Sequence, residues 1–373
     1  MLYKNGFIFI DGNFIHGSFR VEDGRFTEVL DIVPEENGVD LAGSYVIPGL
    51  VDVHIHGASG ADFSDGDYPG LVKMAQALAQ KGVTSFAPAS MTLPYDVLEQ
   101  AFVTARKFCD QKPQKASRLM GIHMEGPFFS EKKKGAQNGA YLQLPNFDAF
   151  LKLQNSCGNL VKIVDVAPEL SGAAEFTQKA AELCTVSVAH TDADYAQTKA
   201  VFDSGATHLT HLFNAMPGIH HRNPGVIGAA FENRDVQAEL ICDGLHIHPA
   251  VVKMAFTLFA GRIVLVSDAL RCCGLADGEY ELGGQPVFLK NGVAKLSDGT
   301  IAGAATDLYR AMQNAVRFGI SQEEAILSAT LNPAKAIGAE KEIGSIAPGK
   351  LADFVLCDKD LNLQKVYLNG EVI

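Results

Sequence analysis

The chain of 373 residues is 47% hydrophobic and carries 43 Asp and Glu against 31 Lys and Arg, a formal net charge of −12. That balance excludes a nucleic-acid surface, which needs a clustered excess of cations, and no apolar run reaches the length that crosses a bilayer, so neither nucleic acid nor membrane is expected as a partner. Seven cysteines without metal-finger spacing, of which the neighbours Cys272 and Cys273 cannot easily bond to each other, fit a reducing cytoplasm.

In chain order, residues 2–11 have too short an apolar core for a signal peptide and read as a strand, so export is not expected. Up to about residue 48, short apolar runs alternate with the turn pairs Asp11-Gly12, Asp23-Gly24 and Asn37-Gly38, which predicts small antiparallel strands. The final stretches 352–357 and 366–372 have the same character. Residues 1–48 and 336–373 are therefore expected to form one small β-sandwich.

Between them, residues 49–335 alternate apolar strand-like runs with helical patterns. The run Val46, Ile47, Leu50, Val51, Val53 and Ile55 is too apolar for a half-wet strand and reads as one parallel strand, buried on both faces and ending at Gly57. Further strands are expected near 84–89, 119–125, 161–167, 186–190, 208–214, 238–243 and 263–268. Helices are expected over stretches such as 68–81, 95–108, 173–184, 194–204 and 249–259. Eight strands with intervening helices predict an α/β fold, a (β/α)₈ TIM barrel carrying the terminal β-sandwich. The Gly-rich stretch from about 279 to 302 reads as hairpins inserted after the eighth strand. Lys132-Lys133-Lys134, the one dense basic run, reads as a solvated loop.

The chemistry-bearing residues collect at the carboxyl ends of the predicted strands. In Val53-His54-Ile55-His56-Gly57 the alternation of a strand puts His54 and His56 on one face, close enough to share a cation. Glu125 ends an otherwise apolar strand, where an isolated charge is too costly unless it is paired, protonated or metal-bound. His190, His211 and Asp268 close the fifth, sixth and eighth strands. Six ligand-type residues from five strands at one end point to a divalent metal, Zn or Fe. Such a metal pulls the pKa of bound water from ~15.7 toward ~7. Asp268 is placed to take a proton from that water and deliver it to a leaving amine, so hydrolysis of a C–N bond is the natural reaction.

Pro48-Gly49-Leu50-Val51-Asp52-Val53-His54-Ile55-His56-Gly57, with Ala347-Pro348-Gly349-Lys350-Leu351-Ala352-Asp353, resembles the amidohydrolase superfamily. More narrowly, His123-Met124-Glu125-Gly126-Pro127-Phe128, Thr210-His211-Leu212-Phe213-Asn214-Ala215-Met216 and Asp243-Gly244-Leu245-His246 resemble the N-acetylglucosamine-6-phosphate deacetylase family. The resemblance spans nearly the whole chain. It implies that Glu125, His190 and His211 form the metal site found throughout that family. Retention of His54 and His56 then implies a second ion, with Glu125 bridging. Asp268 matches the catalytic aspartate and His246 the residue that polarises the acetyl carbonyl. Asn214 and Ala215 match residues that hold the sugar, Ala215 through its backbone. Arg222 matches a phosphate-binding arginine supplied by the other subunit of a homodimer, a role that suits the rigid fork of a guanidinium.

The match has one departure. Family members often have histidine where this chain has Gln137, which can position a sugar hydroxyl but cannot act as acid or base. His220 and His221 receive no assignment, and His248 is expected to face solvent or cap a helix. The expected activity is deacetylation of a phosphorylated amino sugar. The rivals are another amidohydrolase, such as a cyclic amidase or N-acyl amino-acid deacylase, or a catalytically silent barrel serving as a binding scaffold.

Overall fold

The computed structural model describes residues 1–373. The two chain ends share one eight-stranded mixed sheet, in which Tyr45–Pro48 runs parallel to Leu2–Ile10 and antiparallel to Phe354–Cys357. Its first two turns are the expected pairs: Asp11 and Gly12, then Asp23 and Gly24, all at positive φ, the conformation that reverses a strand in two residues. Inside the sheet lie Tyr3, Phe19, Phe26, Phe354 and Tyr367, each buried.

The middle of the chain carries eight parallel strands, the third of them in two pieces: Leu50–Ile55, Val83–Pro88, Arg118–Leu119 with Ile122–Met124, Val161–Val166, Thr185–Val188, His208–Leu209, Gln237–Ile241 and Ile263–Val266. Successive strands pair in parallel from the first to the second and from the third to the eighth. A parallel bridge between Ala89 and His123 joins the second to the third. The Asp268 N–H donates to the His54 carbonyl at 2.9 Å and ties the end of the eighth to the first. These strands are buried along nearly their whole length, which accounts for their near-continuous apolar sequence. Together the elements make a mixed α/β fold.

The helices begin where sequence chemistry starts them. Tyr68–Gln80 follows Asp67, whose carboxylate accepts the Gly70 N–H at 2.7 Å, with Pro69 in the first turn. Tyr195–Asp203 opens with a reciprocal capping box of Asp194 and Gln197. Helices Phe147–Ser156 and Gly225–Glu232 fall outside the expected stretches. The second is buried nearly all round, so it lacks the polar stripe that marks a surface helix. No helix is long and apolar enough to cross a membrane.

Two expectations are corrected. The sixth strand ends at Leu209 instead of running to 214, because His211, Phe213 and Ala215 all take positive φ and turn the chain across the strand ends. The run from Val46 is not one strand: Tyr45–Pro48 joins the terminal sheet, the first parallel strand is Leu50–Ile55, and both the His56 and Gly57 N–H groups then donate to the Ala269 carbonyl at 2.9 Å. Gly57 is required there, since a Cβ would lie 2.3 Å from the Ala61 carbonyl oxygen. The stretch after the eighth strand is an antiparallel meander, Gly278–Leu282, Gln285–Lys290, Val293–Leu296 and Ile301–Ala304, as its turn pairs require. Its last strand lies against the strand ends through a bridge between Ala269 and Ala304.

Candidate active site

The loops that leave the strands enclose a cavity of about 190 Å³. His56, Glu125, His190, His211, His246 and Asp268 line one part of it. Gln137, Asn214 and Ala215 line another, and residues Thr300 to Gly303 of the meander form a wall. Glu125 is the centre. Its Oε1 lies 3.2 Å from His190 Nε2, 3.3 Å from His211 Nε2 and 3.5 Å from His54 Nε2, and its Oε2 lies 3.2 Å from His56 Nε2. Asp268 Oδ1 approaches His56 Nε2 at 3.3 Å and His54 Nε2 at 3.6 Å. The donor atoms fall into two groups, Glu125 with His190 and His211, and His54 with His56 and Asp268. The six residues expected as ligands therefore converge, although His56 reaches the group from beyond its strand.

Three of the imidazoles give away their other nitrogen. His54 Nδ1 bonds Glu239 at 2.8 Å, His56 Nδ1 the Ala89 carbonyl at 3.2 Å, and His190 Nδ1 the Lys133 carbonyl at 2.9 Å. Those partners accept only, so each Nδ1 carries a proton, and a neutral ring then turns its Nε2 lone pair toward Glu125. His190 Nε2 and His211 Nε2 stand 3.0 Å apart, and His54 Nε2 has no hydrogen-bond partner although it is buried. Nitrogen lone pairs gathered this closely around a carboxylate call for a cation among them, and imidazole with carboxylate is a donor set that divalent metals accept. The protein residues alone show the same demand. Burial would lower the pKa of His56, but Glu125 and Asp268 outweigh it and hold the imidazole well above its ordinary value. Burial likewise opposes His211, yet Glu125 pushes it up to about 9. Glu125 goes the other way: burial would raise its carboxyl, and the imidazoles of His54 and His56 hold it well below the usual range.

His190, His211 and Asp268 are at φ 44°, 30° and 48°, a region that non-glycine residues enter at a cost of about 1–3 kcal/mol each. His246 is oriented by Asp243, whose Oδ2 accepts the Nδ1–H at 2.7 Å while its Oδ1 accepts the N–H groups of Leu245 and His246. Gln137 is committed at both ends of its amide: its oxygen accepts the Thr92 N–H at 2.7 Å and its NH₂ donates to Glu125 Oε2 at 2.8 Å. One amide proton is left over. Asn214 donates back to the His211 carbonyl at 3.2 Å, and its neighbour Ala215 sits at φ 52°.

Arg222 is not brought to this cavity by its own chain. It lies on an exposed loop, with its guanidinium 2.8 Å from His221 Nε2, and the His220 and His221 rings meet at a 42° tilt with centres 4.3 Å apart. His248 caps helix Pro249–Leu258, its Nδ1 accepting the Ala250 N–H at 3.2 Å.

A layer of buried polar residues beneath the cavity was not anticipated. Asp165 accepts from His123 Nε2 and Thr210 Oγ1, both at 2.9 Å, while Glu239 accepts from His54 and His208. The cost of burial that singles out Glu125 applies equally to Asp165 and Glu239, each a carboxylate inside an apolar strand.

The sequence model of the Amidohydrolase family matches residues 45–373. This chain belongs to the amidohydrolase family. It is 36% identical over 366 residues to N-acetylglucosamine-6-phosphate deacetylase of Bacillus subtilis (strain 168), covering 96% of this chain and 92% of that protein. It is 33% identical over 360 residues to N-acetylgalactosamine-6-phosphate deacetylase of Escherichia coli O157:H7, covering 95% and 93%. Among solved structures it resembles a mutant form of N-acetyl-D-glucosamine-6-phosphate deacetylase from Mycobacterium smegmatis in complex with N-acetyl-D-glucosamine-6-phosphate, with a TM-score of 0.94 and 29% identity over 100% of this chain and 98% of that one.

Proposed function

We propose that this amidohydrolase removes the acetyl group of N-acetylglucosamine 6-phosphate by metal-dependent hydrolysis, giving glucosamine 6-phosphate and acetate. The observation that carries the reading is the convergence of His56, Glu125, His190, His211 and Asp268 on one small cavity, with His54 buried directly behind Glu125 and Asp268, in a chain whose curated relatives carry that activity in their names. Glu125, His190 and His211 would hold one divalent ion, zinc or iron, and His54, His56 and Asp268 with Glu125 a second. A divalent ion in this donor set supplies the Lewis acidity that lets water attack an unactivated amide at neutral pH. Asp268 accepts a proton from the attacking water and returns it to the departing amine, and its depressed pKa keeps the carboxylate ionised and free to accept. His246, held by Asp243, presents Nε2 to the acetyl oxygen and stabilises the charge that grows there. Asn214, the Ala215 backbone and the spare proton of Gln137 hold the sugar. Arg222 reaches the phosphate of the neighbouring protomer's substrate in a homodimer, a local cation in a strongly acidic chain.

The same reading extends to the frame. The parallel ladder, tied from eighth strand to first through Asp268 and His54, is proposed to be a closed (β/α)₈ barrel over residues 49–335. The terminal segments, 1–48 and 336–373, are proposed as a β-sandwich domain around the Phe19 and Phe354 cluster. All seven cysteines are unpaired, which supports a cytoplasmic location. The relative named for the galactosamine isomer favours a second substrate reading on the same site.

The test is to count ions per chain in protein purified without added metal and to assay acetate release from both 6-phosphates and from plain N-acetylglucosamine. Release from a phosphorylated sugar, with a KM that rises at least tenfold in Arg222→Ala while the plain sugar is unaffected, is the expected result. Absence of stoichiometric metal, or equal turnover of all three sugars, would overturn the reading.

A further inference from the structure

One buried carboxylate touches both of the ligand groups from below. Glu239, on strand Gln237–Ile241, is fully buried. Its Oε2 accepts His54 Nδ1–H at 2.8 Å and the main-chain N–H of His211 at 3.1 Å, and its Oε1 accepts His208 Nε2–H at 3.1 Å. Its own carbonyl also takes the Leu212 N–H at 2.9 Å. Three N–H groups converge on two oxygens, so the side chain serves only as an acceptor. This forces the His54 proton onto Nδ1 and leaves Nε2 as a lone pair 3.5 Å from Glu125 Oε1 and 3.6 Å from Asp268 Oδ1. The bond to the His211 main chain holds a residue whose φ of 30° is unfavourable without outside support.

We infer that Glu239 is a positioning residue for the reaction, setting the tautomer of His54 and the backbone of His211 so that the two ligand groups are assembled together. Glu239 itself touches neither the cavity nor a reacting atom. The inference rests on the reading of these groups as metal-binding. A merely space-filling role would be met by any residue of the same shape, and glutamine has that shape. An amide, however, offers one acceptor and must donate from its other end. In Glu239→Gln an N–H therefore confronts either His54 Nδ1–H or His208 Nε2–H, and relief at His54 moves its proton to Nε2, where a metal would bind.

The test uses the full chain and Zn²⁺ as the probe. In metal-free wild type, histidine ¹⁵N–¹H correlation spectra should show His54 protonated on Nδ1, and in Glu239→Gln a shift toward protonation on Nε2. Zn²⁺ affinity should fall about 10- to 100-fold in the variant, the range found when the partner of a ligating histidine is removed. Wild type with His54 protonated on Nε2, or a folded Glu239→Gln with unchanged Zn²⁺ affinity, would overturn the inference while leaving the metal site standing. Wild type that binds no Zn²⁺ would overturn the metal reading and the inference with it. Should the variant fail to fold, the wild-type tautomer still decides.

Discussion

In the sheet built from the two chain ends, Tyr3 stacks on Phe19 with ring centres 5.0 Å apart, Phe354 on Tyr367 at 4.3 Å, and Phe19 meets Phe354 edge-on at 5.0 Å. The polar atom this packing leaves over, the Tyr3 hydroxyl, donates to the Gly370 carbonyl at 2.6 Å. The strand-end cavity is made on other terms. His54 Nε2 and His211 Nδ1 are buried without partners, His190 and His211 point nitrogens at each other, and three of the residues sit in left-handed backbone. Such features lower stability and persist only where the surrounding structure over-determines them. The terminal sheet supplies rigidity through satisfied, well-packed groups, and the cavity concentrates unsatisfied ones where a cation and a substrate can use them. Substitutions in the two regions should therefore separate stability from turnover.

The widest separation is expected at Asp268. Asp268→Asn keeps the shape and removes the group that moves the proton, so kcat should fall by roughly 10²- to 10⁴-fold. Its thermal midpoint should stay within a few degrees of wild type, because the burial cost of the carboxylate is lost along with its contacts to His54 and His56. Steady-state acetate release and a melting curve check both halves. Turnover near wild type would remove Asp268 from the proton path.

The opposite signature belongs to Phe354. It is fully buried and touches Tyr3, Phe19, Phe26 and Tyr367, so Phe354→Ala should destabilise by about 3–5 kcal/mol, read from chemical denaturation. kcat per folded molecule should not change. A kcat that falls in step with stability would mean that the sheet and the cavity are not independent.

The same contrast explains what could be read from the chain alone. The terminal strands and the meander announce themselves through alternation and turn pairs, since Asp11-Gly12 and Asn291-Gly292 take the positive φ that glycine and asparagine favour. His54, Glu125, His190 and Asp268 were legible because each ends an apolar strand and strand ends share one side of a parallel sheet. The course of 208–214 was not, because the left-handed turns at His211 and Phe213 are imposed by tertiary contacts, among them the Leu212 N–H bonded to the Glu239 carbonyl at 2.9 Å. Asp165 and Glu239 were missed for a related reason. A carboxylate inside a strand shows its cost in sequence, but its partners, His123, His208 and Thr210, lie on other strands.

Asp243 tests whether orientation at the cavity depends on a single bond. Burial alone would lower the pKa of His246, and the hydrogen bond and charge of Asp243 outweigh it and leave the imidazole raised. Asp243→Asn removes that charge and leaves only Asp268 to oppose burial, so the His246 pKa should fall, as an NMR titration of its ring protons would record. Loss of a bond between charged groups is worth roughly 1.5–3 kcal/mol, or about 10- to 100-fold in kcat. An unmoved His246 titration would show that the pair is not coupled.

Asp194 gives the smallest effect and the sharpest control. Its side chain accepts the Gln197 N–H at 2.9 Å, and the Gln197 side chain accepts the Asp194 N–H at 3.0 Å, which starts helix Tyr195–Asp203 close behind His190 in sequence. Asp194→Ala leaves the Gln197 N–H to water at the protein surface and should cost about 1 kcal/mol of stability. Closeness in sequence predicts that His190 would feel this, but the imidazole is fixed by the Lys133 carbonyl and by stacking on Phe129 with ring centres 4.4 Å apart, neither of which belongs to the helix. kcat and metal content should therefore match wild type. A loss of bound metal in Asp194→Ala would mean that the left-handed turn at His190 is held by the helix that follows it, and that the cavity draws its rigidity from the outer layer as well as from the strands.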